Sequence, residues 1–471
     1  MKLGLTIHSC LLYFSCFSYL SIPLVSFKTL IAPAHAQISP SANGFEQTKT
    51  LDFDNLISKA NKYGTVRVII GLRTNFIPEG RLATGLVQSQ RTAIAQTRNA
   101  ILSKLSTYKP TVITKFQTIP YFAAKLNARA LTALQSDPNI ISIQEDIAVP
   151  ATLTESIPVV KANGSWESGF TGAGQTVAIL DTGVDSSHPF LAGKVVSEAC
   201  YSTTDSTYQS TSLCPNGSLQ QVGTGSAVNC TTTIVDCNHG THVAGIAAGN
   251  GPNFSGVARD AKIIAIQIFS RFNSTNQCYP LPAPCILSYA SDQIRALEQV
   301  YNLRSSFPIA AANMSLGGGN YTTNCDASYG NLKAIIDNLR SVGIATVIAA
   351  GNESSINGLS FPACISSAIS VGSTKDGSSG GNADEVSSFS NSASFLSLLA
   401  PGEVIYSSIP GGNYANFYGT SMAAPHVTGA WAIFKQRNPS ASVADTLANF
   451  QNTGIPVTDP RNGIQKSRIR L

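Results

Sequence analysis

Four nearly continuous apolar runs, at residues 175–180, 262–269, 309–316 and 344–350, constrain this chain more than any other feature. A strand with one wet face alternates apolar and polar residues. A run without alternation is buried on both faces, as in a parallel sheet covered by helices. Covering helices are predicted between the runs: Leu332, Ile335, Ile336 and Leu339 share one helical face, and Ile294, Leu297 and Tyr301 another. From Ser156 onward the chain reads as α/β with a mainly parallel sheet. Reactive groups then belong at the carboxyl ends of the strands.

Residues 37–150 follow a different pattern. Strands are predicted at 65–70, 112–119, 121–126 and 140–144, and helices at 88–105 and 128–135. That is the split βαβ order of a small α+β, ferredoxin-like unit. Residues 43–54 before it read as a polar lead-in, and the Gly/Ser-rich patch at 377–381 as a surface loop. Met1 and Lys2 precede apolar stretches that end at Ala34-His35-Ala36, as in a cleaved secretory signal. Ser9, Ser15, Ser18, Ser21 and Pro23 make a poor spanning helix, so no stable membrane anchor is expected. The chain is thus parsed as a signal at 1–36, a small unit at 37–150 and a large one at 151–471.

Charge and cysteine follow the same boundaries. The net charge of +5 divides into +2, +6 and −3 over these three segments. Aromatic residues in the basic segment, such as Tyr63, Phe76 and Tyr108, are scattered rather than grouped with Lys and Arg, so nucleic acid is not an expected partner. Cys10 and Cys16 leave with the signal. The other eight (Cys200, Cys214, Cys230, Cys237, Cys278, Cys285, Cys325 and Cys364) all lie in the large segment. An even number in an exported domain reads as disulfides, and sequential pairing is one of many connectivities. The paired short Cys-x-x-Cys spacings of a zinc site are absent.

Three segments sit where an α/β sheet puts its chemistry. Ala178-Ile-Leu-Asp181-Thr-Gly-Val-Asp185 ends an apolar strand on a carboxylate. Asn238-His239-Gly-Thr-His242 and Gly419-Thr-Ser421-Met-Ala-Ala-Pro425 each open a helix. Singly, such an Asp is usually a turn former and such a Ser an N-cap. Four histidines remain beyond the signal (His188, His239, His242 and His426), and all lie in or beside these segments. Serine attack on a carbonyl needs a base and an acid that orients it. Asp181, His239 and Ser421 supply them in an order that excludes the α/β-hydrolases.

Together the three segments resemble the active-site signatures of the subtilisin-like serine peptidases, and the similarity runs from about Ser156 to Arg470. The resemblance implies a three-layer subtilisin-like fold. It implies Ser421 as nucleophile, His239 as general base and then acid, and Asp181 as the orienting carboxylate. Ala349-Ala350-Gly351-Asn352 is similar to the family's oxyanion segment, with the Asn352 amide and the Ser421 N–H as donors. Asn313-Met-Ser315-Leu316-Gly317-Gly318 is similar to its substrate-binding strand. His242 reads as structural and Asp185 as a loop residue. No acid is fixed at the S1 base by sequence alone, so an apolar or broad P1 preference is expected.

The segment 37–150 resembles the family's inhibitory propeptide. A secreted (extracellular or periplasmic) monomeric endopeptidase is therefore expected, made as a zymogen that its own propeptide inhibits and that cuts itself within 146–155. Its substrates would be polypeptides. No metal ligands are assigned and no cofactor is required: Phe190 stands where the family often has a calcium-binding Asp, the loop at 250–255 is short, and Lys375 stands at another frequent cation position. Calcium elsewhere stays open. The alternative is a catalytically inactive relative that serves as a binding protein, whose mark would be a lost triad or oxyanion residue.

Overall fold

The computed structural model describes residues 53–146, 148–149, 159–377 and 383–471. The signal at 1–36, most of the 377–381 patch and most of the 146–155 cleavage segment lie outside them.

The large sheet has ten strands. In spatial order they are Ile455–Thr458, Gln465–Arg468, Leu398–Pro401, Ile369–Thr374, Ala345–Ala349, Ile309–Met314, Thr176–Asp181, Lys262–Gln267, Val195–Tyr201 and Gln220–Val222. All neighbours are parallel except at the two edges, where Ile455–Thr458 and Gln220–Val222 run antiparallel. The apolar runs occupy its centre, where Val177, Ile179 and Ile263 face one side and Leu180, Ile264 and Ile266 the other. Helices His239–Ala248 and Thr420–Arg437 cover the first face; Ala290–Leu303 and Gly330–Ser341 cover the second. The chain thus forms a three-layer α/β fold.

The eight cysteines among the described residues pair sequentially, as Cys200–Cys214, Cys230–Cys237, Cys278–Cys285 and Cys325–Cys364.

Residues 53–146 form four antiparallel strands in the order Thr111–Lys115, Tyr121–Leu126, Val66–Leu72, Ile140–Glu145, with helices Thr84–Leu105 and Ala128–Gln135. A further helix, Phe53–Tyr63, begins inside the stretch expected as a polar lead-in. Its Phe53, Leu56 and Ala60 recur at helical spacing and are buried, which is enough to dock an otherwise polar helix. The strand expected at 112–119 ends at Lys115, because Phe116 and Ile119 turn into the core beneath the large unit's helices.

This small sheet lies on the Ala290–Leu303 and Gly330–Ser341 helices. The Glu298 carboxylate accepts the N–H groups of Gln117 and Thr118 at 2.7 and 2.8 Å and the Thr118 hydroxyl at 2.9 Å. Asn338 receives the Glu79 N–H at 3.1 Å and donates to Thr118 O at 3.1 Å. Arg67, almost wholly buried, bonds Asp146 at 2.7 Å and lies over the Tyr289 ring. Asp146 in turn accepts the Ser291 N–H at 2.9 Å, at the start of the Ala290–Leu303 helix, where a negative charge is favoured.

Candidate active site

Asp181 ends a central strand of the large sheet and is fully buried. Its Oδ1 lies 2.6 Å from His239 Nδ1 and accepts the Thr182 N–H at 2.8 Å. A donor at Nδ1 leaves Nε2 as the basic nitrogen of the ring. His239 is the first residue of the His239–Ala248 helix, and Ser421 lies in the first turn of the Thr420–Arg437 helix. The two helices pack on each other over one face of the sheet, through Val243, Ala244, Met422 and Val427.

Pro425 gives the serine helix a particular local chemistry. Proline has no N–H to return to the carbonyl four residues earlier, so Ser421 O loses its helical partner. The Ser315 hydroxyl takes that place, donating to Ser421 O at 2.6 Å. Ser315 Oγ accepts from Asn313 Nδ2 at 2.9 Å, and Asn313 Oδ1 accepts from Thr428 Oγ1 at 3.0 Å. Ser421 Oγ itself donates to Ser315 O at 3.3 Å. A buried network from Thr428 to Ser315 therefore sets the backbone of Ser421 against the substrate-strand segment.

Asn352 is aligned by the same helix start. Its Oδ1 accepts the Thr420 N–H at 2.8 Å and the Thr420 hydroxyl at 3.0 Å. Because both partners are donors, the amide orientation is fixed, with its NH2 turned away from them. The Ser421 N–H, in the first turn, has no intrahelical acceptor. Gly351 allows the chain to pass: at φ 108° a Cβ there would meet Ser360 Oγ at 2.1 Å and Glu353 Oε2 at 2.6 Å.

Ser315 lies against Ser421, followed by Leu316, Gly317 and Gly318, and from Gly318 the chain pairs with Leu359–Phe361. Beneath Gly351, the Glu353 carboxylate accepts Asn391 Nδ2 at 2.6 Å and Ser360 Oγ at 2.9 Å. An acid thus stands beside the strand that pairs from Gly318, which sequence did not place there. Sequence reasoning also missed the strand Cys285–Tyr289, whose Ser288 and Tyr289 pair antiparallel with Val149 and Ala148. Its signal was the apolar stretch Ile286-Leu287 just ahead of the predicted helix. Asp236, three residues before His239, is a second carboxylate near the pair; burial pushes its pKa up.

The remaining candidates are held elsewhere. His242 Nε2 meets Ile405 O and Ala415 O, each at 3.1 Å, and burial keeps the ring neutral, its pKa pulled down to about 3. Burial alone would raise the Asp185 carboxyl, but hydrogen bonds from Ser187 and Gly411 outweigh it and hold it low. His188 bridges Phe190 N and Asn413 O. The residues at the two frequent cation positions do not fit calcium. The Phe190 ring packs on Phe254 at 4.6 Å, and Lys375 pairs with Glu385 at 2.9 Å. Calcium requires oxygen ligands, which neither place assembles among the described residues.

The family model described as "Subtilase family" matches residues 172–463. The alkaline protease of Alkalihalobacillus alcalophilus is 30% identical over 360 residues, covering 75% of this chain and 79% of that protein. Subtilisin E of Bacillus subtilis (strain 168) is 30% identical over 348 residues, covering 72% and 76%. A solved cold adapted subtilisin-like serine proteinase is 28% identical, covers 63% of this chain and 89% of its own, and superimposes with a TM-score of 0.45. With more than half of its length matched by the family model, and relatives aligned over most of both chains, the chain belongs to the subtilase family.

Proposed function

We propose that the chain is a secreted serine endopeptidase, made as a precursor that processes itself. The observation that carries this reading is the 2.6 Å contact between buried Asp181 and His239, set beside the helix start that holds Ser421 and orients Asn352. Ser421 Oγ attacks the scissile carbonyl while His239 Nε2 takes its proton and then passes it to the leaving amine. Asp181 holds the imidazole in the working tautomer and stabilises its cation. The Asn352 NH2 and the Ser421 N–H receive the oxyanion. Water then frees the acyl group by the same route in reverse.

A polypeptide substrate would add as a strand along Cys285–Tyr289, as Ala148–Val149 does, with Ser315, Leu316, Gly317 and Gly318 forming the opposite wall. With Glu353 at the S1 wall, the P1 preference is broad and includes basic side chains. Residues 37–150 act as the intramolecular inhibitor, and self-cleavage falls in 146–155. The complete set of triad and oxyanion residues argues against an inactive binding relative. The mature enzyme, a monomer, needs no calcium at the Phe190 corner.

The test expresses the full chain as wild type and as Ser421→Ala, following chain length and casein hydrolysis. Wild type should shorten near residue 150, hydrolyse casein and be silenced by a serine acylator, while Ser421→Ala stays full length and inert. A wild-type chain that neither shortens nor reacts with the acylator overturns the reading.

A further inference from the structure

The chain between Asp181 and His239 does more than join them. Directly after the aspartate, Thr182 O accepts the Cys230 N–H at 3.2 Å and the Val184 N–H donates to Ala227 O at 2.8 Å, so residues 227–230 lie along 182–184. Gly183 permits this approach, since at φ 96° a Cβ there would stand 2.2 Å from Val228 O. Cys230 is disulfide-bonded to Cys237, and His239 follows two residues later. Within this closed loop Asp236 adopts a left-handed φ of 69°, and its carbonyl accepts the His239 N–H at 3.0 Å. On the helix side, the Gly240 N–H donates to Thr182 Oγ1 at 2.9 Å. The end of the aspartate strand and the start of the histidine helix are thus tied by hydrogen bonds and by one covalent loop. Cys230 and Cys237 are both buried, which withdraws the bond from thiol exchange and suits a fixed element rather than a switch.

We propose that the Cys230–Cys237 loop is a positioning device for the Asp181–His239 pair: the disulfide fixes the entry of the histidine helix, and Asp236 sets a second negative charge beside the imidazole. This rests on the protease reading above. Asp236 lies close enough to His239 and Asp181 for their charges to bear on its own acidity, opposing and reinforcing the effect of burial respectively. Other titratable groups beside His239 include Asp181 at the strand end and His242 one turn along the same helix. Beyond His242 stands His426 of the Thr420–Arg437 helix, whose charge also bears on it. His242 is kept neutral by burial, so the two carboxylates are the anions that stabilise the imidazolium. Removing one makes His239 less basic, and the acidic limb of kcat/KM must then move to lower pH.

Wild type, Asp236→Asn and the Cys230→Ala/Cys237→Ala double variant are compared after active-site titration, on one peptide p-nitroanilide across the pH range. Asp236→Asn should lower the acidic limb by about half a unit with KM within about twofold, and Asp236→Glu should restore it. The double variant should lose about tenfold in kcat at unchanged KM, as a misaligned base does. A limb that stays in place or rises with Asp236→Asn overturns the electrostatic role. A double variant whose kcat stays within twofold of wild type overturns the positioning role. If the double variant does not fold, Asp236→Asn, near-isosteric and with the disulfide intact, still decides. A wild-type chain that takes up no serine acylator refutes the protease reading instead.

Discussion

Asn352 performs two tasks with the two ends of one amide, and substitution separates them. Its Oδ1 caps the serine helix from outside, accepting the Thr420 N–H at 2.8 Å, while in the proposed mechanism its NH2 serves the oxyanion. Asn352→Ala removes both. Loss of the donor should slow acyl transfer by about 10²–10³, and loss of the cap should cost about 1 kcal/mol of stability. In a chain of this size that is a fall in Tm of about 2 °C. Asn352→Asp keeps the acceptor, and adds a charge that the helix N-terminus favours, but presents a carboxylate to a developing oxyanion. It should therefore be at least as slow as Asn352→Ala while melting no lower than the parent. The rate is read from the half-time of self-cleavage of the full chain, a single turnover that needs no mature enzyme. Stability is read by calorimetry in the Ser421→Ala background, where autolysis cannot interfere. Self-cleavage by Asn352→Asp within tenfold of wild type would refute the oxyanion assignment and reduce Asn352 to a helix cap.

Three further outcomes follow from the same geometry. Ser315→Ala strips Ser421 O of the donor that Pro425 cannot provide, leaving a buried acceptor unpaired; calorimetry in the Ser421→Ala background should show about 1–3 kcal/mol lost. Glu298→Ala leaves the N–H groups of Gln117 and Thr118 without their acceptor. Their hydrogen exchange in the Ser421→Ala precursor should quicken by about 30-fold or more, from about 2 kcal/mol of lost bonding, while amides of the large sheet stay protected. Asp459 is raised by burial but held lower overall by its hydrogen bonds to Arg461, which also ties Ser388 and Ser390. Its depressed folded pKa means stability present above the unfolded value of about 3.9 and lost as pH falls through the folded one. Asp459→Asn should thus melt lower than the parent at pH 7, and the gap should narrow below about pH 4.

Burial on both faces forces continuous apolar runs, so the central strands and their mainly parallel direction were legible in the sequence. The elements that carry Asp181, His239 and Ser421 were legible as well, because a strand end and helix starts show in local pattern. The helix Phe53–Tyr63 was not, since three apolar residues among polar ones become a docking face only when a core stands opposite them. Asp236 drew no reading from the sequence, and the closed Cys230–Cys237 loop is what brings it to the Asp181–His239 pair. Glu298 lay in a predicted amphipathic helix, and its partners are 180 residues earlier in the chain.

What the sequence determined by itself was the set of chemical groups and the elements that carry them. Periodicity and end signals act over one or two turns of backbone, and those are written residue by residue. Tertiary structure decided which groups meet. It chose one cysteine pairing among many, including Cys325 with Cys364 at a separation of 39. It gave the carbonyl released by Pro425 to Ser315, 106 residues away. It also set the Glu353 carboxylate beneath Gly351 by bonding it to Asn391. A hydrogen bond is set within tenths of an ångström, and over such separations only the packed core fixes distance that finely.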